Sequence, residues 1–243
     1  MAPSICSVLF VVVLFVIFFA TTKLQPPKPK PKPPKPVDHA WLVQLYPPAY
    51  CLVESCKNKT RATTQRFSVH GLWPVDVKGN TLLPDPSAPA ADKKDIIANP
   101  SLANEMDIYW PNMDGGFVDY DNFVLWAHEW KKHGSADSTN NKDAMIYFRK
   151  VIALMKLLGA NLTASLENHN MYPGNSYDKG LYVSAMVSGN GVQDSIALRC
   201  KPVNNIFHLV EVRACVNTLS TSFIACLPKE RKDNCGTGLI MYY

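Results

Sequence analysis

Alternation of apolar and polar side chains predicts several short β-strands in this chain. In residues 66–70, Phe67 and Val69 would point to one side of a strand, and Ser68 and His70 to the other. This alternation places His70 on the polar side of its strand, where a side chain can meet a ligand. Three more segments have the apolar and β-branched content of strands: residues 41–46, 180–186 and 206–213.

Apolar residues at helical spacing predict a helix over residues 143–158. The stripe consists of residues 144, 148, 151, 155 and 158, and Gly159 is placed to end the helix. Residues 75–103 are rich in Pro, Asp, Ala and Lys and predict a long surface loop. This mixture of elements predicts an α+β fold, in which an antiparallel sheet packs against several helices.

A second helix is predicted over residues 122–133, with Asp121 near its start and Gly134 just past its end. One side of this helix is apolar, and we expect its tryptophans to pack in the core. The apolar side holds Phe123, Trp126, Ala127 and Trp130, and the charged side holds His128, Glu129, Lys132 and His133.

The charged side carries the sequence HEWKKHG, from His128 to Gly134, which raises the question of a metal site. A zinc-binding His-Glu-x-x-His helix places its two histidines four residues apart on one face. Here the histidines are five residues apart and therefore about 140° from each other around the helix, which is poor geometry for one ion. We expect no metal and no other cofactor.

Proton transfer suits the same residues better. Glu129 lies four residues before His133, so its carboxylate would favour the protonated ring or fix one tautomer, and tune His133 near neutrality. His128 and Lys132 would add positive charge, which suits a reaction that builds negative charge on phosphate. The alternative is a solvated helix face with incidental ion pairs, and this segment alone does not separate the two.

The chain begins with an apolar run over residues 5–20, which has the length of a signal-peptide core and is short for a membrane span. Residues 1–22 contain no Lys or Arg, so an uncleaved anchor stays open as an alternative. We predict a cleaved signal peptide over residues 1–22 and a protein that is secreted to the extracellular space or delivered to the vacuole. No stable membrane association is expected after cleavage.

A Lys/Pro-rich linker is predicted over residues 23–38, between the signal peptide and a single domain over residues 39–243. Its core, PPKPKPKPPKP, contains seven Pro and four Lys and favours an extended polyproline-II conformation. Residues 23–36 hold five of the 25 basic residues and no acidic ones, which leaves 20 basic against 20 acidic residues in the rest. The segment is a spacer or, alternatively, an arm that contacts polyanions.

Cysteine usage agrees with an exported protein. Cys6 lies in the leader, and an even number of six cysteines follows it, which suggests disulfides but allows fifteen pairings. Asn58 and Asn161 each begin an acceptor sequon for N-glycosylation, whereas Asn99 is followed by proline and does not.

Two motifs together resemble a known family. FSVHGLWP, which contains His70, and HEWKKHG closely resemble the two active-site signatures of the T2 family of secreted ribonucleases, in the same order. Similarity extends to YPPAYC, YWPNM and HLVEVRACVN, and so covers most of residues 40–243. Variants within the motifs are similar to those of the plant S-like and self-incompatibility ribonucleases.

The resemblance implies an endoribonuclease that cleaves single-stranded RNA without a metal, through a 2′,3′-cyclic phosphate. It implies that His133 is the general base and His70 the general acid. Glu129 and Lys132 would stabilise the charged transition state, and His128 would help to hold the phosphate. RNA is then the expected partner, and we expect the protein to be a monomer.

The resemblance also implies the disulfides Cys51–Cys56, Cys200–Cys235 and Cys215–Cys226. Relatives carry a further bridge to a cysteine just after the second motif, but this chain has no cysteine between Cys56 and Cys200. The helix with the second motif therefore lacks a covalent tether, which is typically worth ~2–4 kcal/mol.

Base recognition departs from the family pattern. Val75 stands where relatives often have an aspartate, with Asp76 next to it, and Leu45 and Tyr46 replace the usual Gln and Trp. Our candidates for contacts with the substrate are aromatic residues that can stack on bases, together with one glutamine: Gln44, Trp73, Tyr109, Trp110 and Phe123. His39, His169 and His208 match no motif and are expected to be structural or exposed.

Two classes of function compete on this sequence. The first is an active ribonuclease that serves phosphate scavenging, defence, senescence or self-incompatibility, between which the sequence does not choose. The second is a non-catalytic secreted protein on the same fold, used for storage, RNA binding or attachment to the cell wall. All five motif residues with catalytic roles in the family are present, which favours the first.

Overall fold

The computed structural model describes residues 36–54, 56–57, 62–113, 122–217 and 222–243. The predicted signal peptide, most of the predicted linker and Asn58 lie outside these ranges, and the side chain of Asn161 is not described. Within these ranges, no helix combines the length and apolar character needed to cross a bilayer.

The described residues form six α-helices and six strands in one domain, which confirms the predicted α+β fold. The helices are α1 (Pro47–Val53), α2 (Lys93–Ile97), α3 (Pro100–Tyr109), α4 (Asn122–Lys132), α5 (Ala144–Asn168) and α6 (Lys179–Asn190). The strands are β1 (His39–Leu45), β2 (Ser68–Val75), β3 (Asn175–Tyr177), β4 (Ile196–Val203), β5 (Ile206–Val216) and β6 (Ile240–Tyr242). A short 3-10 helix, Gly134–Asp137, follows α4.

Strand β5 organises the sheet because it pairs with three other strands. Its second half, Glu211 to Val216, pairs antiparallel with β1, and β4 pairs antiparallel with β5 as well. Near its start, Phe207 and His208 pair in parallel with β6. The resulting order is β2-β1-β5-β6-β3, with β4 also beside β5, so the sheet is mixed and mostly antiparallel.

The two faces of the sheet pack into different clusters. Leu42 of β1 belongs to the main core, which also contains Tyr147 and the other buried residues of α5. Its neighbours Trp41 and Val43 point to the other face, because side chains alternate along a strand. There they form a smaller cluster, against which Trp73 packs, with Val75, Cys215 and Cys226.

Helix α5 is longer than the predicted 143–158, and the predicted end at Gly159 is wrong. The side chain of Asp143 caps its start by accepting a hydrogen bond from the Ile146 amide at 2.8 Å. The helix continues because Leu162 and Leu166 extend the buried stripe at helical spacing. It ends just before Asn170, whose φ of 55° lies in the left-handed region.

The predicted strand over residues 180–186 is wrong, because this segment belongs to α6. Asp178 caps the helix by accepting from the Gly180 amide at 2.6 Å, and Gly191, with φ of 73°, ends it. The buried residues Tyr182, Ala185 and Met186 follow helical spacing. Apolar content alone does not distinguish a short strand from a helix, whereas the spacing of the buried residues does.

The loop predicted over residues 75–103 also needs correction, because α2 and the start of α3 lie within it. Asp92 caps α2 by accepting from the Lys94 amide, and Pro100 occupies the first turn of α3. Ile96 and Leu102 are buried and anchor the two helices to the main core.

Three disulfides hold the described chain, and they are the pairs that the family resemblance implies: Cys51–Cys56, Cys200–Cys235 and Cys215–Cys226. The last two are nested and attach the C-terminal segment to β4 and β5. Glu230 adds to this attachment, because its carboxylate accepts hydrogen bonds from His39 at 3.0 Å and Trp41 at 3.1 Å.

Candidate active site

His70 lies at an irregularity in β2. In the β1–β2 ladder Gly71 is opposite Val43 and Val69 is opposite Gln44, so His70 has no opposite residue. A bulge of this kind redirects the bulged side chain. The side chain of His70 is 29% exposed, and its backbone carbonyl accepts a hydrogen bond from the indole of Trp110 at 2.9 Å.

The carboxylate of Glu129 is buried against β2 at the one position of the first motif that has no side chain. A Cβ added to Gly71 would overlap Glu129 Oε2 and would lie 2.7 Å from Trp73 Nε1. The Trp73 indole donates a 2.9 Å hydrogen bond to the same Oε2 atom. Gly71 is therefore the residue that permits α4 to bring its carboxylate to the strand.

Glu129 brings the two motif histidines together. Its Oε1 atom lies 3.9 Å from His70 Nε2, and its Oε2 atom lies 4.0 Å from His133 Nε2. Two imidazoles from separate parts of the chain thus flank one buried carboxylate. An acid–base site with two histidines requires such an approach of the two rings.

The predicted charged side of α4 is only partly solvated. His128 and Lys132 are exposed as expected, but Glu129 and His133 are buried, with 1% and 5% of their surfaces accessible. Both are covered because the helix packs against β2 on this side as well. The predicted burial of Trp126 and Trp130 is confirmed.

Trp73 holds the second histidine instead of presenting a free surface to a base. Its ring stacks on His133 with centroids 4.6 Å apart and planes 18° from parallel. The Arg213 guanidinium also lies over the indole, with its carbon 5.3 Å from the centroid. In this structure the indole of Trp73 contacts His133 and Arg213, and its stacking on a substrate base stays a prediction.

Burial decides the charge of His133. It lowers the pKa of His133 to about 3, and the positive charges of Lys132, His70 and His128 act in the same direction. The expectation that Glu129 would tune this ring near neutrality is wrong, because desolvation outweighs the carboxylate 4.0 Å away. His133 is neutral at ordinary pH and can accept a proton.

The pKa values of Glu129 and His128 are shifted in opposite directions. Burial raises the pKa of Glu129 above its usual range, although His70, the Trp73 hydrogen bond and Lys132 oppose that shift. Partial burial, together with Lys132 and His70, lowers the pKa of His128. Burial thus acts on the two groups in opposite directions, since it favours the neutral ring of His133 and the protonated carboxyl of Glu129.

Two of the residues predicted to contact a base are buried in the protein interior. Gln44 and Trp110 are both 0% exposed, so neither can reach a ligand in this structure. Gln44 pairs with Val69 and lies on the core side of β1, because it is two residues from Leu42 and side chains alternate along a strand. Tyr109 and Phe123 are partly exposed, and the Arg66 guanidinium carbon lies 5.9 Å from the Tyr109 ring centroid.

Sequence reasoning missed Glu211 and Arg213 of β5. Both side chains face the site, where Glu211 Oε2 lies 3.5 Å from His70 Nδ1 and Arg213 lies over Trp73. They belong to the segment HLVEVRACVN, which in the sequence analysis supports only the family resemblance. Their spacing of two residues in a strand was the available signal, since it places both on one face.

The remaining histidines have structural surroundings. His39 is buried between Asp38 and Glu230, His208 is buried, and His169 lies 2.8 Å from the Ser165 carbonyl. In the described chain, one group of three residues brings potential metal ligands within 4.8 Å of one another, namely His39, Cys215 and Glu230. Cys215 is bonded to Cys226, so it offers no thiolate to a metal.

Comparison with known proteins places this geometry in a family. The model of the "Ribonuclease T2 family" matches residues 37–226, which include both motifs. The chain belongs to the ribonuclease T2 family. The resemblance carried by the two motifs is thereby confirmed.

Curated relatives in the T2 family are similar at moderate identity. Ribonuclease MC from Momordica charantia is 27% identical over 205 residues, which cover 84% of this chain and 99% of the relative. Ribonuclease S-4 from Pyrus pyrifolia is 30% identical over 193 residues, which cover 78% and 80%. A "Ribonuclease-like storage protein" from Panax ginseng is 28% identical over 192 residues, covering 78% and 75%.

Solved structures of T2 ribonucleases share the fold. A mutant of RNase MC1 in complex with 5′-GMP has a TM-score of 0.70 and 26% identity, covering 85% of this chain and 100% of that one. RNase NT in complex with 5′-AMP has the same TM-score and identity, covering 85% and 98%.

The Gly71→Ala variant should be destabilised, because its Cβ would overlap Glu129 Oε2 and displace that side chain. We expect a loss of ~1–3 kcal/mol in the free energy of unfolding, measured by urea denaturation. Gly238→Ala is the control, since a Cβ there meets nothing within 4 Å. Equal stability of the two variants would show that the contact between Gly71 and Glu129 is not tight.

His133 should make the fold sensitive to acid. An unfolded histidine binds its proton near pH 6.5, whereas His133 in the fold does so only near pH 3. Stability is therefore lost as the pH falls through this window, by roughly 2–3 kcal/mol between pH 7 and pH 4. Urea denaturation at both pH values should show a smaller loss for His133→Gln than for the wild type, and equal losses would contradict the assignment.

Proposed function

We propose that this chain is a secreted endoribonuclease that cleaves single-stranded RNA by metal-independent transesterification. The observation that supports this most is the placement of His70 and His133 on either side of Glu129, at 3.9 and 4.0 Å. One imidazole on each side of a single carboxylate can supply both proton transfers that the reaction needs. Relatives in the T2 family have been crystallised with 5′-GMP and 5′-AMP, which supports RNA as the substrate.

In the proposed first step His133 acts as the general base. Its neutral ring takes the proton of the ribose 2′-hydroxyl, and the 2′-oxygen then bonds to the adjacent phosphorus. The bond from phosphorus to the 5′-oxygen breaks, and protonated His70 gives its proton to that oxygen. The products are a 2′,3′-cyclic phosphate and a free 5′-hydroxyl. DNA lacks the 2′-hydroxyl and should not react.

Three residues of α4 would stabilise the charge that builds on the phosphate. Lys132 and His128 are exposed at the cleft, where cationic or hydrogen-bonding groups can meet phosphate oxygens. Glu129 lies between the two rings, and because burial raises the pKa of this carboxyl, its protonated form, which can donate a hydrogen bond, is easier to reach than that of an exposed glutamate. The low pKa of His133, about 3, keeps the base unprotonated in acidic compartments.

Removal of either histidine should abolish most cleavage. We expect the wild type to release acid-soluble products from yeast RNA in the presence of EDTA. His70→Ala and His133→Ala should each lower the rate by about 10²–10⁴-fold, the usual contribution of a general acid or base. His169→Ala is the matched control and should keep the wild-type rate.

The alternative is a non-catalytic protein for storage, RNA binding or cell-wall attachment, and the storage protein of Panax ginseng is the observation in its favour. Against it, this chain has all of His70, His128, Glu129, Lys132 and His133. Intact RNA after incubation with the wild type would support the alternative and overturn the proposed activity. Loss of cleavage on addition of EDTA would instead indicate a metal-dependent hydrolase.

Secretion is supported by the apolar leader, by the two sequons and by six disulfide-bonded cysteines. Tomato relatives include an "Extracellular ribonuclease LE" and an "Intracellular ribonuclease LX", so the compartment differs within the family. N-terminal sequencing of protein from the medium of expressing cells tests signal cleavage at the end of residues 1–22.

The Lys/Pro segment should act independently of the site. Deletion of residues 23–36 removes five lysines and no acidic residue. We expect cleavage of a dinucleotide to change less than twofold, and affinity for long RNA to fall more at low salt than at high salt, because phosphate contacts are screened. A large fall in dinucleotide cleavage would show instead that the segment belongs to the active domain.

A further inference from the structure

Glu211 reaches the first histidine from the middle of the sheet. It lies on β5, two strands away from β2, and its side chain is only 13% exposed. Its Oε2 atom is 3.5 Å from His70 Nδ1, while His70 Nε2 lies 3.9 Å from Glu129 Oε1. The two ring nitrogens of His70 therefore face two different carboxylates.

Arg213 fixes the carboxylate of Glu211. Its Nε atom donates a 2.7 Å hydrogen bond to Glu211 Oε1, which leaves Oε2 directed at His70. The guanidinium is itself held over two indoles, with its carbon 4.8 Å from the Trp41 ring centroid and 5.3 Å from that of Trp73. An arginine held in this way positions Glu211 more rigidly than a solvated partner would.

We propose that Glu211 is a positioning residue for His70, which it orients and keeps protonated for its role as the general acid. This inference rests on the proposed function and adds a residue to it. A carboxylate at Nδ1 selects the tautomer with a proton on that nitrogen. The proton that leaves for the 5′-oxygen is then the one on Nε2, the nitrogen on the side of Glu129 and the cleft.

The charges around this pair act in both directions. Helix α4 and the residue after it supply Glu129, His128, Lys132 and His133. Strand β5 supplies Arg213, and Arg199 of β4 lies opposite Glu211. Burial raises the pKa of Glu211, but the contacts with His70 and Arg213 outweigh it, so that the carboxyl has a pKa below its usual value. Glu211 is therefore an anion over the pH range in which His70 must carry a proton.

A purely structural role for Glu211 is the competing explanation, because its ion pair with Arg213 would also stabilise the sheet. The two roles differ in what they do to His70. Loss of a structural ion pair lowers stability and leaves the pH dependence of the reaction in place. Loss of a carboxylate next to the imidazole weakens the protonated ring and therefore moves the pH dependence.

The experiment compares Glu211→Gln, which keeps the shape and removes the charge, with Glu105→Gln as a matched control. Glu105 lies on α3 in an ion pair with Lys156, away from the two motifs. On a dinucleotide, we expect Glu211→Gln to lower kcat about tenfold, with KM within about twofold, and to move the alkaline limb of the kcat/KM profile to lower pH. An alkaline limb that coincides with those of the wild type and Glu105→Gln would overturn the proposal.

Glu211→Asp serves as a second variant that keeps the charge. Because it retains the carboxylate near His70, its alkaline limb should lie closer to that of the wild type than the limb of Glu211→Gln does. A limb that moves equally in both variants would point to lost packing and overturn the proposal.

A measurement without turnover separates this inference from the proposed function. If the wild type does not cleave RNA, the proposed function fails, but NMR titration of the His70 ring still measures its coupling to Glu211. A lower titration midpoint in Glu211→Gln supports the positioning contact, and an unchanged midpoint overturns it.

Discussion

The site depends on one close approach, in which the carboxylate of Glu129 occupies the space beside Gly71. Because glycine leaves that space open, α4 can pack against β2 with an acidic side chain pointing inward. A buried carboxylate requires hydrogen-bonding or cationic partners, and the indole of Trp73, the imidazole of His70 and the charge of Lys132 provide them. The distance between His70 and His133 is therefore set by the acid that separates them.

Around that carboxylate, side-chain contacts connect strands β2 and β5 with helix α4. Glu129 is bonded to Trp73, Trp73 stacks on His133 and lies next to Arg213, and Arg213 pairs with Glu211, which faces His70. Each member limits the freedom of the next, so the two rings are oriented by the side chains around them. These contacts restrain the helix that carries the second motif, which has no cysteine between Cys56 and Cys200 to tether it.

The sequence predicted which motif residues lie close together better than it predicted the helices and strands around them. His70, Glu129 and His133 were found because both motifs are local in sequence, and α4 because its tryptophans recur at helical spacing. The pKa of His133 could not be predicted, since burial comes from β2, far away along the chain. Gln44 was misplaced although alternation with Leu42 puts it on the core side of β1, and α6 was mistaken for a strand because a short apolar segment suits either structure.

The bulge at His70 makes this histidine the residue of β2 that the sheet needs least. It is the extra residue between Val69 and Gly71, which pair with Gln44 and Val43, so its deletion would leave a regular ladder. The residues on either side would keep their inward and outward directions. A change of this kind would remove the first ring of the site from a sheet that still folds, so the architecture by itself gives the site no protection against its loss.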